Sequence, residues 1–363
     1  MNKVTLKNVY KNYGKVEAVK DLSFNCKEGE FLSLLGPSGC GKSSTLRMIA
    51  GLEEITRGEI YINDKLVNNV KPGQRNIALA FENYALYPPL TIYENIAFPL
   101  QASGMESSKI KKRVNEIAKM LNLLEVLKRK PSKLSGGQQQ LTSLARALVK
   151  SADVYLLDEP ISHMDIDLRN RMRGELRRIH KEMGATFIYV THDQLEAISM
   201  SDRIAIMNFG VLQQIGTAYE IYNSPSNLFV AGFIGEPPMN LIDTTLIRKN
   251  GRLFCKVDGY HISLSKEIEM KIKDSIQNAY VLGIRPSDIK VIKTKKEDYN
   301  IPAEVYIYED LGVRVILTVR FGDQTVLIEA PPDFRAEMGD RVWLGYDQNK
   351  INIFDKKTGN LVM

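Results

Sequence analysis

The stretch Phe31-Leu32-Ser33-Leu34-Leu35-Gly36-Pro37-Ser38-Gly39-Cys40-Gly41-Lys42-Ser43 decides how this chain is read. A short apolar run with the character of a buried strand stops at a glycine. A glycine-rich turn follows, and Ser43 to Ala50 reads as a helix that stops near Gly51. Residues 36–43 fit the pattern G-x-x-x-x-G-K-[ST]. Glycines let the backbone curl so that successive N–H groups point inward at phosphate oxygens. The helix adds its positive N-terminal end. Lys42 offers a point charge to the β- and γ-phosphates, and the Ser43 hydroxyl can ligate magnesium. A glycine-rich turn with an accidental lysine is the alternative, and the strand before it and the helix after it argue against that. The candidate nucleotide set is therefore Gly36, Pro37, Ser38, Gly39, Cys40, Gly41, Lys42, Ser43 and the adjoining Ser44.

Working outward, Val154-Tyr155-Leu156-Leu157 and Thr186-Phe187-Ile188-Tyr189-Val190 are two further apolar runs, each followed at once by polar residues. Alternating strand and helix signals predict an α/β unit around a mostly parallel sheet, with its sites at the strands' C-terminal ends. Asp158 and Glu159 stand at one such end. An acidic residue there can hold a magnesium shell, and a second beside it can polarise an attacking water. Alone, Asp-Glu-Pro is as easily a turn; beside the phosphate loop it gains weight. His192 follows the other strand. By itself a histidine there is more often structural, but in this setting it can reach a γ-phosphate as a donor.

Between these strands lies a helical insert, at about residues 89–150. Ile110, Val114, Ile117, Leu121 and Leu124 recur in steps of three and four, the mark of an amphipathic helix ended by Pro131. A second such helix carries Leu168, Met172, Leu176, Ile179 and Met183. Past Gly235 the character changes. Glu236-Pro237-Pro238 looks like a linker, and short alternating strands follow at Ala303 to Tyr308, Arg314 to Arg320 and Gln324 to Ile328. This gives two domains, 1–235 and an all-β 236–363. Within the second, Leu282 to Ile292 echoes Leu344 to Phe354, either as two related β modules or as chance likeness between short strands.

Composition narrows the function. The chain has 363 residues, a formal charge of +6 and ordinary apolar and charged fractions, which exclude wholesale disorder. Basic runs at Lys109 to Arg113, Lys128 to Lys130 and Arg169 to Lys181 read as solvated helix faces. A nucleic-acid groove needs aromatics interleaved with the basic residues on one face, and that pattern is missing, so no nucleic-acid partner is expected. Cys26, Cys40 and Cys255 share no metal-ligand spacing and suit a reducing compartment. The first residues lack a signal core and no apolar stretch is long enough to span a bilayer, so any membrane role is expected to be peripheral.

Leu134-Ser135-Gly136-Gly137-Gln138 opens a helix carrying Leu144, Ala145, Ala147 and Leu148. A Ser-Gly-Gly turn at a helix start is a second phosphate site, and one nucleotide does not need two separated sites on one monomer. The economical answer is that it serves a partner chain. At this point the chain resembles the ATPase subunits of ABC transporters. It has Walker A at Gly36 to Ser43, the signature at Leu134 to Gln138, Walker B ending at Asp158 with Glu159, and the switch His192. A finer resemblance, to maltose-type sugar importers, runs through Asn83 to Pro88, Tyr93 to Leu100, Phe229 to Gly235, Gly283 to Pro286 and Phe354 to Gly359.

The resemblance implies a P-loop ABC ATPase domain with a helical subdomain, then an OB-like, TOBE-type regulatory domain that strengthens the dimer. It implies ATP and Mg2+ as ligands. Tyr13 would stack on adenine, and Ser162 to Asp165 would form the D-loop. Two chains would sandwich two ATP molecules head to tail, with Ser135, Gly136, Gly137 and Gln138 completing the partner's site. Ser43, Glu82 and Asp158 would hold the metal, while Lys42, Glu159 and His192 would carry catalysis. Tyr84 to Asn95 would receive integral membrane permease subunits, and an extracytoplasmic solute-binding protein would complete the complex on the other side of the membrane. The chain would sit peripherally on the cytoplasmic face and power import of a sugar or oligosaccharide. Related motors serve glycerol phosphate, polyamine, sulfate or iron, and no residue here touches cargo. A regulatory binding role through residues 236–363 could coexist with transport. A soluble ATPase of DNA repair or translation fits less well beside the importer-type coupling segment.

The sequence also departs from that family. Glu82 replaces the Q-loop glutamine and sets a carboxylate near the metal. Leu141 stands where arginine is usual, and the D-loop reads Ser162-His163-Met164-Asp165. With these changes a heterodimer having one weaker site is a second arrangement to consider. Gly312-Val313-Arg314 lacks an acidic residue often found at that turn. Cys40, close to a helix N-terminus, is expected to favour its thiolate and to react with thiol reagents unless ATP protects it.

Overall fold

A computed structural model describes residues 1–272, 279–296 and 301–362. The chain divides into two compact units, Met1–Ala218 and Tyr219–Met363.

The first unit opens with two long antiparallel strands, β1 (Asn2–Tyr13) and β2 (Val16–Lys27), which the apolar pattern did not announce. Their register slips at several bulges, and each slip breaks the period-two alternation that would reveal a strand. Then come β3 (Phe31–Leu35), α1 (Lys42–Ala50), β4 (Arg57–Ile62), β5 (Lys65–Leu66) and β6 (Ile77–Ala80). The helical insert supplies α2 (Ile92–Ala102), α3 (Ser107–Met120) and α4 (Gly136–Leu148). The unit continues with β7 (Val154–Asp158), α5 (Ile166–Met183), β8 (Thr186–Thr191), α6 (Gln194–Met200), β9 (Arg203–Asn208) and β10 (Val211–Gly216).

The central sheet runs β10-β9-β3-β8-β7-β6, parallel except for β10. Strands β3, β7 and β8 are buried at every position, because both faces are covered. Alternate side chains divide between two cores. Phe31, Tyr155, Leu157, Phe187 and Tyr189 pack with helices α2 to α5. Leu32, Leu34, Val154, Leu156, Ile188 and Val190 pack with α1 and the antiparallel sheet β2-β1-β4-β5. Hydrophobic burial on both faces thus fixes the strand ends from which the site is built.

Helix α3 stops sooner than its apolar spacing suggested. Asn122 turns left-handed at φ 54°, and Leu124 is 46% exposed on a separate turn well before Pro131. Helix α2 starts at a capping box in which Thr91 accepts from the Glu94 N–H and Glu94 accepts from the Thr91 N–H. Several basic residues expected to be merely solvated have structural tasks. Arg113 donates to the carbonyls of Leu148 and Val149, and Arg177 pairs with Asp202 at 2.6 Å. No helix among the described residues is long and apolar enough to cross a membrane.

The second unit starts with the short helices α7 (Ala218–Asn223, at the boundary) and α8 (Leu228–Phe233), and so takes in helices that precede the Pro-Pro segment. The cause is Arg285, 2% exposed, whose guanidinium donates to the carbonyls of Tyr222, Ala231 and Ile234 and stacks on the Tyr222 ring. That buried cation binds both helices to the β structure. The strands form two antiparallel sheets. One joins β11 (Asn240–Lys249), β12 (Arg252–Val257), β13 (Tyr260–Ser263), β14 (Ala279–Ile284) and β20 (Asn352–Asp355) in the order β13-β12-β11-β14-β20. The other joins β15 (Ile289–Ile292), β16 (Ile301–Asp310), β17 (Val315–Phe321), β18 (Gln324–Ala330) and β19 (Arg341–Tyr346) in the order β15-β19-β16-β17-β18. A further helix, α9 (Lys266–Lys271), follows β13.

The internal repeat has a definite form. Each copy is a strand, a 3-10 turn and a second strand: β14 to β15, and β19 to β20. Leu282 faces Ile353 and Val291 faces Leu344, while Gly283 faces Asn352 and Lys290 faces Gly345. Each copy's first strand pairs with the other's second strand, so the two interlock about a local pseudo-dyad.

Candidate nucleotide site

The phosphate loop leaves β3 and enters α1 as the spacing predicts. Gly36 and Gly41 are required sterically. A Cβ on Gly36 would lie 2.2 Å from the Met207 carbonyl oxygen. Gly41 caps α1 at φ 102°, and a Cβ there would lie 2.5 Å from the Ala18 oxygen. Lys42 is 5% exposed, and its ammonium donates to the loop's own carbonyls, Gly36 O at 2.7 Å and Pro37 O at 2.9 Å. Among the described residues no carboxylate pairs with it. A buried cation held by neutral acceptors, two carbonyl oxygens and the Cys40 sulfur at 3.9 Å, is poised for an anion.

Ser43 Oγ donates to Asp158 Oδ1 at 3.0 Å, joining the start of α1 to the end of β7. Asp158 is 2% exposed. Burial pushes its carboxyl up from the ordinary range, the Ser43 bond and Arg47 oppose that, and the charges of Glu82 and Glu159 add to it. Glu82 itself is exposed, so its charge reaches Asp158 from the solvent side. A hydroxyl and a carboxylate facing one another, with a second carboxylate nearby, are hard oxygen donors of the kind magnesium takes. The buried ammonium and this donor set fit Mg-ATP.

Glu159 takes the left-handed conformation at φ 46°. Its N–H donates to Val190 O at 3.0 Å, at the end of β8. Its Oε2 lies 2.9 Å from His192 Nδ1, so two of the three sequence-predicted catalytic residues meet. Tyr13, 41% exposed, places its hydroxyl 3.5 Å from Ser44 Oγ, and Lys11 lies over its ring at 4.7 Å. An exposed ring beside the loop is open to stacking by a base. Ser38 and Gly39 lie exposed on the loop.

The Cys40 expectation is corrected. The thiol is 3% exposed and packs inward, with Sγ 2.8 Å from where a Gly36 Cβ would sit. Burial pushes its pKa up, outweighing the nearby Lys42. The thiol does meet the helix start, since the Lys42 and Cys40 N–H groups also act to lower its pKa, and burial overcomes them.

Ser135 and Gln138 form a capping box at the start of α4. Ser135 Oγ accepts from Gln138 N–H at 3.3 Å, and Gln138 Oε1 accepts from Ser135 N–H at 3.3 Å. The first-turn N–H groups of Gly136 and Gly137 have no partner within the helix. Gly137 leaves room for the D-loop helix, since a Cβ there would lie 3.1 Å from Leu168. Asp165, the last D-loop residue, caps α5, accepting from Leu168 N–H at 2.9 Å, so one of its carboxylate oxygens is already engaged. The unusual residues have clear places. Leu141 and Met164 are buried in the helical core, and the His163 ring stands edge-on to Tyr84 at 5.9 Å. Arg314 pairs with Glu329 at 3.4 Å.

Three residues were not singled out from the sequence. Arg146 donates to Tyr84 O and Ala85 O, holding two left-handed residues in the segment before α2. Arg169 donates to Ser162 O and Met164 O and fixes the D-loop. Gln140, buried on the face of α4 that carries Leu144 and Leu148, donates to the Glu159 carbonyl. A polar residue at buried helical spacing was the available signal for it.

Family models match in the same order: "ABC transporter" over residues 19–162, "MalK OB fold domain" over 235–289 and "TOBE domain" over 282–354. The chain is 45% identical to the trehalose/maltose import ATP-binding protein MalK of Thermococcus litoralis, an alignment covering 99% of each. It is 41% identical to the oligosaccharides import ATP-binding protein MsmX of Bacillus subtilis, again over 99% of each. Among solved structures it resembles the dimeric ATP-binding cassette MJ0796 bound to ADP and Pi in a post-hydrolysis state, at 34% identity and TM-score 0.55, covering 59% of this chain and 98% of that one. The chain belongs to the ABC transporter ATP-binding proteins, as an ATPase whose cassette is followed by OB-fold and TOBE domains.

Proposed function

We propose that the chain is the ATP-hydrolysing motor of a sugar or oligosaccharide importer, seated peripherally on the cytoplasmic face of the membrane. One observation carries the cargo assignment: similarity to sugar-import ATP-binding proteins runs through the β unit as well as the cassette. Two copies pair head to tail. Permease subunits dock near Tyr84 to Asn95, and a solute-binding protein delivers sugar from outside.

The chemistry follows from groups already in contact. Lys42 exchanges the Gly36 and Pro37 carbonyls for β- and γ-phosphate oxygens of ATP. Ser43 and Asp158, with Glu82 beside them, would hold magnesium, which neutralises phosphate charge when bound. Tyr13 stacks on adenine. Ser135 to Gln138 of one protomer close over the nucleotide of its partner, so ATP joins the chains. Glu159 orients a water for attack on the γ-phosphorus and takes up its proton, and His192 donates to the γ-phosphate. Water adds across the β–γ anhydride, giving ADP and phosphate, and loss of the shared γ-phosphate lets the dimer open. Positioning and charge stabilisation do most of the work.

The test is Mg-ATP turnover by the chain assembled with its permease subunits in liposomes, with binding protein and candidate solutes added in turn. Sugar-dependent stimulation and uptake are expected. Stimulation by glycerol phosphate, polyamine, sulfate or iron instead would overturn the cargo and leave the motor standing.

A further inference from the structure

We infer that Gln140 is a positioning residue that ties the backbone of Glu159 to the signature helix. The inference rests on Glu159 being the general base. Gln140 is 1% exposed, and its Nε2 donates to the Glu159 carbonyl at 3.0 Å. The same oxygen accepts from Ser162 Oγ at 3.0 Å and from Ser162 N–H at 3.3 Å. Three donors therefore converge on one carbonyl. The residue that owns it has φ 46°, a region non-glycine residues rarely occupy unless their surroundings impose it. With the Glu159 N–H fixed on Val190 and its C=O fixed by Gln140 and Ser162, both peptides flanking its Cα are pinned. The direction of the carboxylate follows from them.

The amide is there for its donor. Gln140 Oε1 has no hydrogen bond among the described residues, an unfavourable state for a buried oxygen. Turning the amide over would set two acceptors against each other at Glu159. An apolar side chain would avoid that cost but would give nothing to the Glu159 carbonyl. Because Gln140 rides on α4, the helix that begins at Ser135 also holds its own chain's Glu159. When Ser135 engages a partner's nucleotide, any shift of α4 is felt at this Glu159.

The experiment compares the full-length chain with Gln140→Met, which keeps the volume and loses the donor, with Glu159→Gln, and with both together. Mg-ATP turnover, fluorescent ATP-analogue affinity and thermal melting are measured for each. In Gln140→Met, kcat is expected to fall roughly 10- to 100-fold, as for a small misplacement of a reacting group. KM, affinity and melting temperature should stay near the parent's. In the Glu159→Gln background the second change should cost nothing further, because the two act as one unit. Parent-like kcat in Gln140→Met, or an equal further loss in the double variant, overturns the inference. Parent-like turnover in Glu159→Gln overturns the reading of Glu159 instead. Should Gln140→Met fail to fold, Ser162→Ala strips another donor from the same carbonyl. A loss of kcat at unchanged KM is expected there too, and parent-like kcat overturns the inference.

Discussion

Nδ1 of His192 stands 2.9 Å from Oε2 of Glu159, with the imidazole half exposed and the carboxylate largely covered. The two groups belong to the ends of adjacent parallel strands, so the sheet itself sets their spacing. Glu159→Gln should lower kcat by roughly 10²- to 10⁴-fold, the usual range for loss of a general base, with ATP affinity retained. Steady-state turnover beside equilibrium binding checks this. Affinity falling in step with kcat would mean that Glu159 holds the ground state.

Among the described residues Lys42 meets only neutral acceptors, the Gly36 and Pro37 carbonyls and the Cys40 sulfur, so it serves the ligand at the apo fold's expense. Lys42→Met should melt no lower than the parent without nucleotide, yet lose most of the stabilisation that Mg-ATP confers. Stabilisation by a ligand scales with the logarithm of its concentration over Kd, so thermal melts across an ATP series read the effect directly. A Lys42→Met variant that gains as much from ATP as the parent would exclude Lys42 from the site.

Glu82 adds negative charge beside Asp158, where the phosphates are to sit. Glu82→Gln should tighten Mg-ATP binding by a few fold, since an exposed charge contributes about 1 kcal/mol or less. The gain should shrink as salt rises and screens it. Weaker binding in Glu82→Gln would show that magnesium needs the carboxylate's charge, since glutamine keeps an oxygen able to ligate it.

His180 is buried between the rings of Phe31 and Phe187, and burial lowers its pKa below the ordinary histidine value. Its folded form therefore resists protonation, while the unfolded chain takes up a proton near pH 6.5. Its contribution to stability is full above that pH and is lost as pH falls toward the lower folded value. Melting temperature should drop between pH 7.5 and 5.5 in the parent, and drop less in His180→Phe. Equal drops would assign the acid sensitivity elsewhere.

Arg285→Ala should strand the carbonyls of Tyr222, Ala231 and Ile234, the last two in buried residues. A cost on the order of 2–3 kcal/mol is expected from such unpaired groups. Denaturant unfolding of the full chain should show it in the second unit, with ATP affinity unchanged. An unaltered unfolding curve would mean that α7 and α8 are held by other contacts.

The phosphate loop and the three buried strands were legible because their signals are local: a glycine spacing, an apolar run, an abrupt polar stop. Residues that work through distant partners were not. Arg285 reaches Tyr222 from 63 positions away, so its grip on α7 could not be read along the chain. Helix α2 was obscured by Pro99, although Thr91 and Glu94 carried its starting signal. Leu124 kept the helical spacing after the helix had ended at Met120, because the left-handed Asn122 turned the backbone away from it. Cys40 was misjudged because the helix-end N–H groups can be read from the sequence, whereas the burial that outweighs them at the thiol cannot.

The crossed pairing of β14 with β20 and β15 with β19 bears on how the tail can be cut. Removing residues after Ala330 does not trim an appendage. It takes a strand from each sheet and leaves Leu282 and Val291 without Ile353 and Leu344. A family boundary near residue 289 likewise divides one clasp between two names. The two copies should lock and unlock as one, so that a protease reaching either loses both.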